Sequence, residues 1–129
     1  MQVTQCINNV RLTSMSHTYL QQLLGGVVEP LMLFIISDLP MHGYRVAKEL
    51  ELRSNGYFKL TGSTVYSALR RLEKNGLVLS SWQQVAKKQK RRYYQLTEKG
   101  YRIMTEKLSE WSKFSGATGQ VINRTFKWN

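Results

Sequence analysis

From Tyr19 onward the apolar positions crowd together: Leu20, Leu23, Leu24, Val27 and Val28, then Leu31, Leu33, Phe34, Ile35 and Ile36. That density predicts a mostly buried helix. Gly25, Gly26 and Pro30 should bend or restart it, and Leu39-Pro40 should end it, because the residue before a proline avoids the helical region. Residues 1 to about 17 are polar and show no clear period, which reads as a flexible arm or a loose extra helix.

After a His42-Gly43 turn, a short helix is expected from Tyr44 to Arg53, with Tyr44, Ala47 and Leu50 along one side and Ser54-Asn55-Gly56 as its break. The next helix has clearer ends. Thr61-Gly62-Ser63 supplies capping residues, the run continues to about Asn75, and Gly76 provides the stop. At 100° per residue, Val65, Ala68, Leu69 and Leu72 share one face. Ser63, Ser67, Arg70 and Lys74 lie opposite, with Arg71 and Thr64 on one shoulder and Tyr66 on the other.

Two β-type stretches follow, Leu77 to Gln84 and Arg92 to Leu96, around a basic loop from Lys87 to Arg92. They predict a hairpin. Thr97 then caps a long last helix, with Glu98 favourably placed near its positive end. On that helix Tyr101, Met104, Leu108 and Trp111 step by 3, 4 and 3. The frame continues weakly through Ser115, Thr118 and Ile122, and Phe114 and Val121 widen the stripe. A lone domain buries only part of such a stripe, so the rest is expected to face a second subunit. Tyr101, Met104, Leu108, Trp111 and Phe114 are the candidate dimerisation residues.

The fold class is therefore mainly α with a small β-hairpin (α+β). Three helices and then a hairpin is the winged helix-turn-helix order, here joined to a C-terminal dimerisation helix. The expected divisions are an arm over 1–18, a DNA-binding domain over 19–97, the dimerisation helix over 98–125 and a tail over 126–129. In this architecture the second helix of the pair enters the major groove. Ser63, Thr64 and Ser67 would then offer their hydroxyls to the duplex. Arg70 and Arg71 can reach phosphates or bind guanine bidentately.

Charge strengthens this picture. Nineteen Lys and Arg against eight Asp and Glu give the 129-residue chain a net charge of +11. A domain this basic usually meets a polyanion. Five of the seven residues from Ala86 to Arg92 are basic, a like-charge cluster that repels itself unless an anion neutralises it. Lys87, Lys88, Lys90 and Arg91 are thus candidate phosphate contacts, with steep salt dependence.

Other chemistry finds little support. The single cysteine, Cys6, allows no internal disulfide and no cysteine-based zinc site. The two histidines, His17 and His42, lack metal spacing, so no metal or cofactor is expected. The carboxylates are scattered, no histidine is placed to act on a nucleophile, and no glycine-rich phosphate loop follows a strand, so an enzyme is not expected. The run Leu31 to Leu39 is too short to span a bilayer. No signal peptide is visible, and a cytoplasmic protein is expected.

Three segments, Asp38 to Tyr44, Leu60 to Val78 and Arg91 to Gly100, together resemble the PadR family of bacterial and archaeal transcriptional regulators in order and spacing. The likeness covers roughly residues 20 to 123. It implies a homodimeric repressor that leaves its double-stranded DNA operator on a small-molecule or stress signal, with Thr64, Tyr66, Ser67 and the wing at the DNA. The short last segment resembles the small subfamily that includes multidrug sensors, in which a tryptophan on the last helix stacks planar drugs between subunits. Trp111 falls at that position. The resemblance thus implies a hydrophobic or aromatic effector held by Trp111, with Phe114 beside it. Two positions depart from the family pattern: Val85-Ala86 stands where the wing commonly has Gly-Gly, and Leu39 replaces the usual glycine before Pro40. The alternative function is a sequence-independent, architectural nucleic-acid-binding protein using the same basic wing.

Overall fold

The computed structural model describes residues 22–123. The expected arm, Cys6, His17, Tyr19, Leu20 and the tail lie outside the described residues. Residues 22–24 are helical, and a turn over 25–27 separates them from α1 (Val28–Asp38). The helix thus restarts at the two glycines. Pro30 sits in the first turn of the new helix, where its missing N–H has no partner to lose. Leu39, extended at φ −168°, ends the helix ahead of Pro40.

The elements that follow are β1 (Met41–His42), α2 (Gly43–Arg53), α3 (Gly62–Lys74), β2 (Val78–Ala86), β3 (Gln89–Leu96) and α4 (Glu98–Ile122). The hairpin β2–β3 gains a third strand that the sequence pattern did not predict. The two residues of β1 pair antiparallel with β3, Met41 opposite Tyr94 and His42 opposite Tyr93, giving the order β1-β3-β2. Hairpin pairing runs from Val78–Leu96 out to Ala86–Gln89, with a bulge between Gln84 and Ala86.

Two expectations need correcting. The basic loop is not six residues long: only Lys87 and Lys88 form the turn, and Gln89, Lys90 and Arg91 belong to β3. The buried face of α2 is Gly43, Val46 and Leu50, whereas Tyr44 is 66% exposed. Gly43 can lie on that face because it has no side chain. A Cβ there would stand 2.6 Å from the Tyr66 ring.

The core is shared by every long element. Met32, Leu33, Ile35 and Ile36 of α1 pack with Val46 and Leu50 of α2, Val65, Leu69 and Leu72 of α3, Val78 and Tyr94 of the sheet, and Met104 of α4. Burying side chains of this size stabilises the fold by roughly 1.5–3 kcal/mol each. Ion pairs fasten the surface: Arg53 binds both Asp38 and Glu49 and so joins the end of α1 to α2. The hydrogen bonds from Arg53 and then Arg45 hold the Glu49 carboxyl below its usual range. Helix α4, 25 residues long, extends about 37 Å at 1.5 Å per residue. Among the described residues its side chains packed in or against the core, Ile103, Met104 and Leu108, fall in the first three turns.

Candidate nucleic-acid interface

Helix α3 is fixed from its N-terminus. The Thr61 hydroxyl accepts the backbone N–H of Thr64 at 3.2 Å, the N-cap bond the sequence predicts. The same oxygen lies 2.9 Å from the Thr64 hydroxyl and 3.2 Å from that of Ser63, so three hydroxyls cluster at the exposed end of the helix. At the other end Asn75 caps and Gly76 turns at φ +77°. Val65, Ala68, Leu69 and Leu72 are all buried. That anchoring leaves Ser63, Thr64, Tyr66 and Arg70 exposed, with Ser67 half-buried among them.

The hairpin projects beside this helix. From Ser81 out to Arg92 every residue is exposed, so the outer hairpin owes its shape to strand pairing and surface contacts rather than to burial. At its tip Lys88 adopts φ 62°, a left-handed conformation that glycine would occupy without strain. Lower down, the Arg92 guanidinium lies 5.8 Å from the Trp82 ring centre across the strand pair. It also donates to the Ser80 hydroxyl at 2.9 Å and pairs with Glu73 of α3 at 3.3 Å. Ser80 in turn donates to Glu73 at 2.6 Å. This network ties the wing to α3 at a set angle.

The cations therefore divide into two groups. Arg71 is held by Glu29 and Arg92 by Glu73. Among the described residues Arg70, Lys87, Lys88, Lys90 and Arg91 make no ion pair with a carboxylate. Arg70, Lys90 and Arg91 line a cleft of about 570 Å³ between α3 and the wing, together with His42, Tyr44, Tyr66, Trp82, Arg92 and Tyr94. Lys87 and Lys88 stand beyond it at the tip. Burial pushes the Tyr94 phenol above its usual value, so its hydroxyl stays neutral at the base of the cleft.

Sequence reasoning missed His42 and its surroundings. The His42 ring accepts the backbone N–H of Arg45 through Nδ1 at 3.2 Å and meets Arg91 through Nε2 at 2.8 Å. Tyr93 packs edge-on against the ring at 5.4 Å, and Tyr44 stacks at 6.3 Å. A histidine immediately before a helix start was the available signal for the cap, but nothing local marks a partner 49 residues away.

The α4 stripe divides as well. Met104 is buried in the domain's own core and Leu108 half-buried against it, while Tyr101 is exposed. Further along, Trp111 is 49% and Phe114 66% exposed. Both line a groove of about 980 Å³ with Ile122, with Leu23 and Val27 of the chain ahead of α1, and with Phe58 of the loop before α3. Among the described residues no helix is long and apolar enough to cross a membrane, and no group of three His, Cys, Asp or Glu side chains could hold a metal ion.

The sequence model of the transcriptional regulator PadR-like family matches residues 32–106, which contain α2, α3, the whole wing and the start of α4. The chain is 28% identical over 91 residues to an uncharacterised protein of Lysinibacillus sphaericus, covering 70% of this chain and 84% of that one. Among solved structures it is similar to a PadR family transcriptional regulator from Eggerthella lenta, with a TM-score of 0.72, 25% identity, and coverage of 86% of this chain and 95% of that one. A PadR-like transcriptional regulator from Bacillus cereus gives 0.69 and 28%, over 78% and 96% of the two chains. A transcriptional regulator from Clostridium thermocellum gives 0.69 and 28%, over 82% and 99%. With its winged helix-turn-helix fold and a family match over more than half its length, this chain belongs to the PadR-like family of transcriptional regulators.

Proposed function

We propose that this DNA-binding regulator is a homodimeric repressor, and that an apolar small molecule releases it from its operator. The observation that carries the reading is one chain presenting two distinct surfaces. Unpaired cations stand on α3 and the wing, and aromatic side chains are exposed along the outer half of α4. The first surface suits a duplex: α3 offers hydroxyls and Arg70 to base edges in the major groove, and Lys87, Lys88, Lys90 and Arg91 meet phosphates alongside. The second suits a second copy of the chain. In this reading residues 19–97 are the DNA-binding domain and 98–125 the dimerisation helix. Tyr101, Leu108, Trp111 and Phe114 face the partner, and Met104 supports them from within the core. Two such subunits would place two α3 helices on one face of the duplex, which calls for an operator with two-fold symmetry.

Release follows from the groove beside Trp111 and Phe114. It is apolar, open, and lined by both α4 and the chain leading into α1, so a flat hydrophobic ligand there would alter how those elements meet.

The deciding experiment is a mobility-shift titration against the DNA upstream of the chain's own gene, with excess non-specific competitor, at two salt concentrations. Analytical ultracentrifugation of the free protein accompanies it. A dimer that gives a competitor-resistant, salt-sensitive shift at one imperfect palindrome supports the repressor. A shift that competitor abolishes on every fragment moves the assignment to an architectural, sequence-independent binder.

A further inference from the structure

We infer that His42 and Arg91 together form a clamp for one phosphate of the DNA backbone, with the imidazole serving as a neutral donor. The inference rests on the DNA-binding reading above and adds to that interface a residue that is neither basic nor on α3.

A neutral imidazole carries one N–H, so one ring nitrogen donates and the other accepts. The backbone N–H of Arg45 can only donate, and it points at Nδ1 from 3.2 Å. The Arg91 guanidinium can also only donate, and its Nη1 lies 2.8 Å from Nε2. Two obligate donors therefore flank a ring with a single acceptor. If the cap bond holds, the proton sits on Nε2 and faces another donor. If the proton moves to Nδ1, the same conflict passes to the cap. A negatively charged oxygen seated against both Nε2 and Arg91, admitted by a small swing of the exposed Arg91 side chain, resolves the conflict, because it accepts from both while Nδ1 keeps its bond to Arg45.

The surroundings favour such an oxygen. Both residues line the cleft between α3 and the wing, which Arg70 and Lys90 also enter. Among the described residues no acidic side chain lines that cleft. Two carboxylates engage its surroundings and both are already paired: Glu49 with the Arg45 side chain at 3.2 Å and Glu73 with Arg92 at 3.3 Å. Tyr44 and Tyr93 hold the ring from two sides, so the donor is pre-aimed. Burial, and then the Arg91 and Arg45 cations, hold the imidazole below its usual value. The ring is thus neutral near pH 7, and a hydrogen bond is what it contributes.

His42→Asn separates the clamp from the fold. Asparagine is a good N-cap and can accept the Arg45 N–H, but it is too short to present a donor beside Arg91. The wild type, His42→Asn, Arg91→Ala and Arg70→Ala are titrated with a short mixed-sequence duplex over a series of salt concentrations. Their melting temperatures are measured in parallel. His42→Asn should melt like the wild type and bind roughly tenfold more weakly, with an unchanged slope of log affinity against log salt. Arg91→Ala should lower that slope by about 0.9, since it removes a cation. If His42→Asn binds as the wild type does while Arg70→Ala binds more weakly, the clamp is wrong and the interface stands. If His42→Asn lowers the slope as Arg91→Ala does, the neutral-donor assignment is wrong. If the wild type does not bind the duplex, both readings fall together.

Discussion

Arg71 of α3 and Glu29 of α1, 42 residues apart in sequence, meet at 2.8 Å. Among the described residues the adjacent Arg70 has no such carboxylate. Two neighbouring arginines thus differ in the charge they can offer a phosphate. Arg70→Ala should reduce the salt slope of duplex binding by about 0.9, and Arg71→Ala by clearly less. Glu29→Gln should tighten binding, because it frees Arg71. Each change at this exposed pair should alter stability by less than about 1 kcal/mol. Equal slopes for the two alanine variants would show that the ion pair does not hold in solution.

Gly100 in the first turn of α4 has no room for a side chain. A Cβ would run into the Leu77 carbonyl and stand 2.9 Å from Leu96 Cδ1. That carbonyl already accepts the Thr97 N–H at 3.1 Å, and the Thr97 hydroxyl donates to the Gly76 carbonyl at 2.7 Å, so the backbone cannot yield without losing bonds. Gly100→Ala should cost about 1–3 kcal/mol. Gly116, with nothing within 4 Å, is the contrast: alanine there should stabilise the helix by about 0.5–1 kcal/mol. Thermal melts of the two variants should move in opposite directions.

The left-handed Lys88 predicts a separation of stability from binding. Lys88→Gly removes strain on the order of 1 kcal/mol at the tip and also removes a cation. Amide exchange at Gln89 and Lys90 should slow several-fold, while the salt slope of duplex binding falls by about 0.9. A tip that frays faster with glycine would mean Lys88 is not held in this conformation.

His42 also gives the free protein a pH dependence. Its folded value lies below the unfolded one of about 6.5. Above that pH both states are neutral and the stability is full. As pH falls below it the unfolded chain takes up the proton first, so stability declines until the folded value is passed. The groups facing the ring, Arg91, Arg45, Tyr44 and Tyr93, include no anion to reverse the sign. The melting temperature should therefore drop between about pH 7 and 5.5, above the usual carboxylate range, and this drop should shrink in His42→Asn.

What the sequence made legible was what depends on neighbours in the chain. The α3 cap at Thr61, its buried face and its glycine stop follow from local period and capping chemistry, and all three stand in the structure. The wing turn is shorter than the sequence suggests because lysine and arginine carry little strand signal. What makes Gln89 to Arg91 a strand is pairing with Gln83, Gln84 and Ala86. The buried α2 face differs from the one the sequence suggests because Gly43 adds no apolar signal, and Gly43 lies against Tyr66, 23 positions later. The His42–Arg91 contact depends on the minor strand β1, and two residues are too few for a pattern to reveal.

Every residue of the hairpin from Ser81 to Arg92 is exposed, and apart from the bulge between Gln84 and Ala86 its side chains alternate faces along each strand. Its length can therefore change over evolutionary time without disturbing the domain, provided the two strands grow or shrink together. Two residues added to each strand carry the tip about 6.6 Å farther with every face preserved. One residue added to a single strand swaps all later side chains to the opposite face and turns the cations away from the cleft. Insertions and deletions among related chains should accordingly be even-numbered on each strand of the outer hairpin.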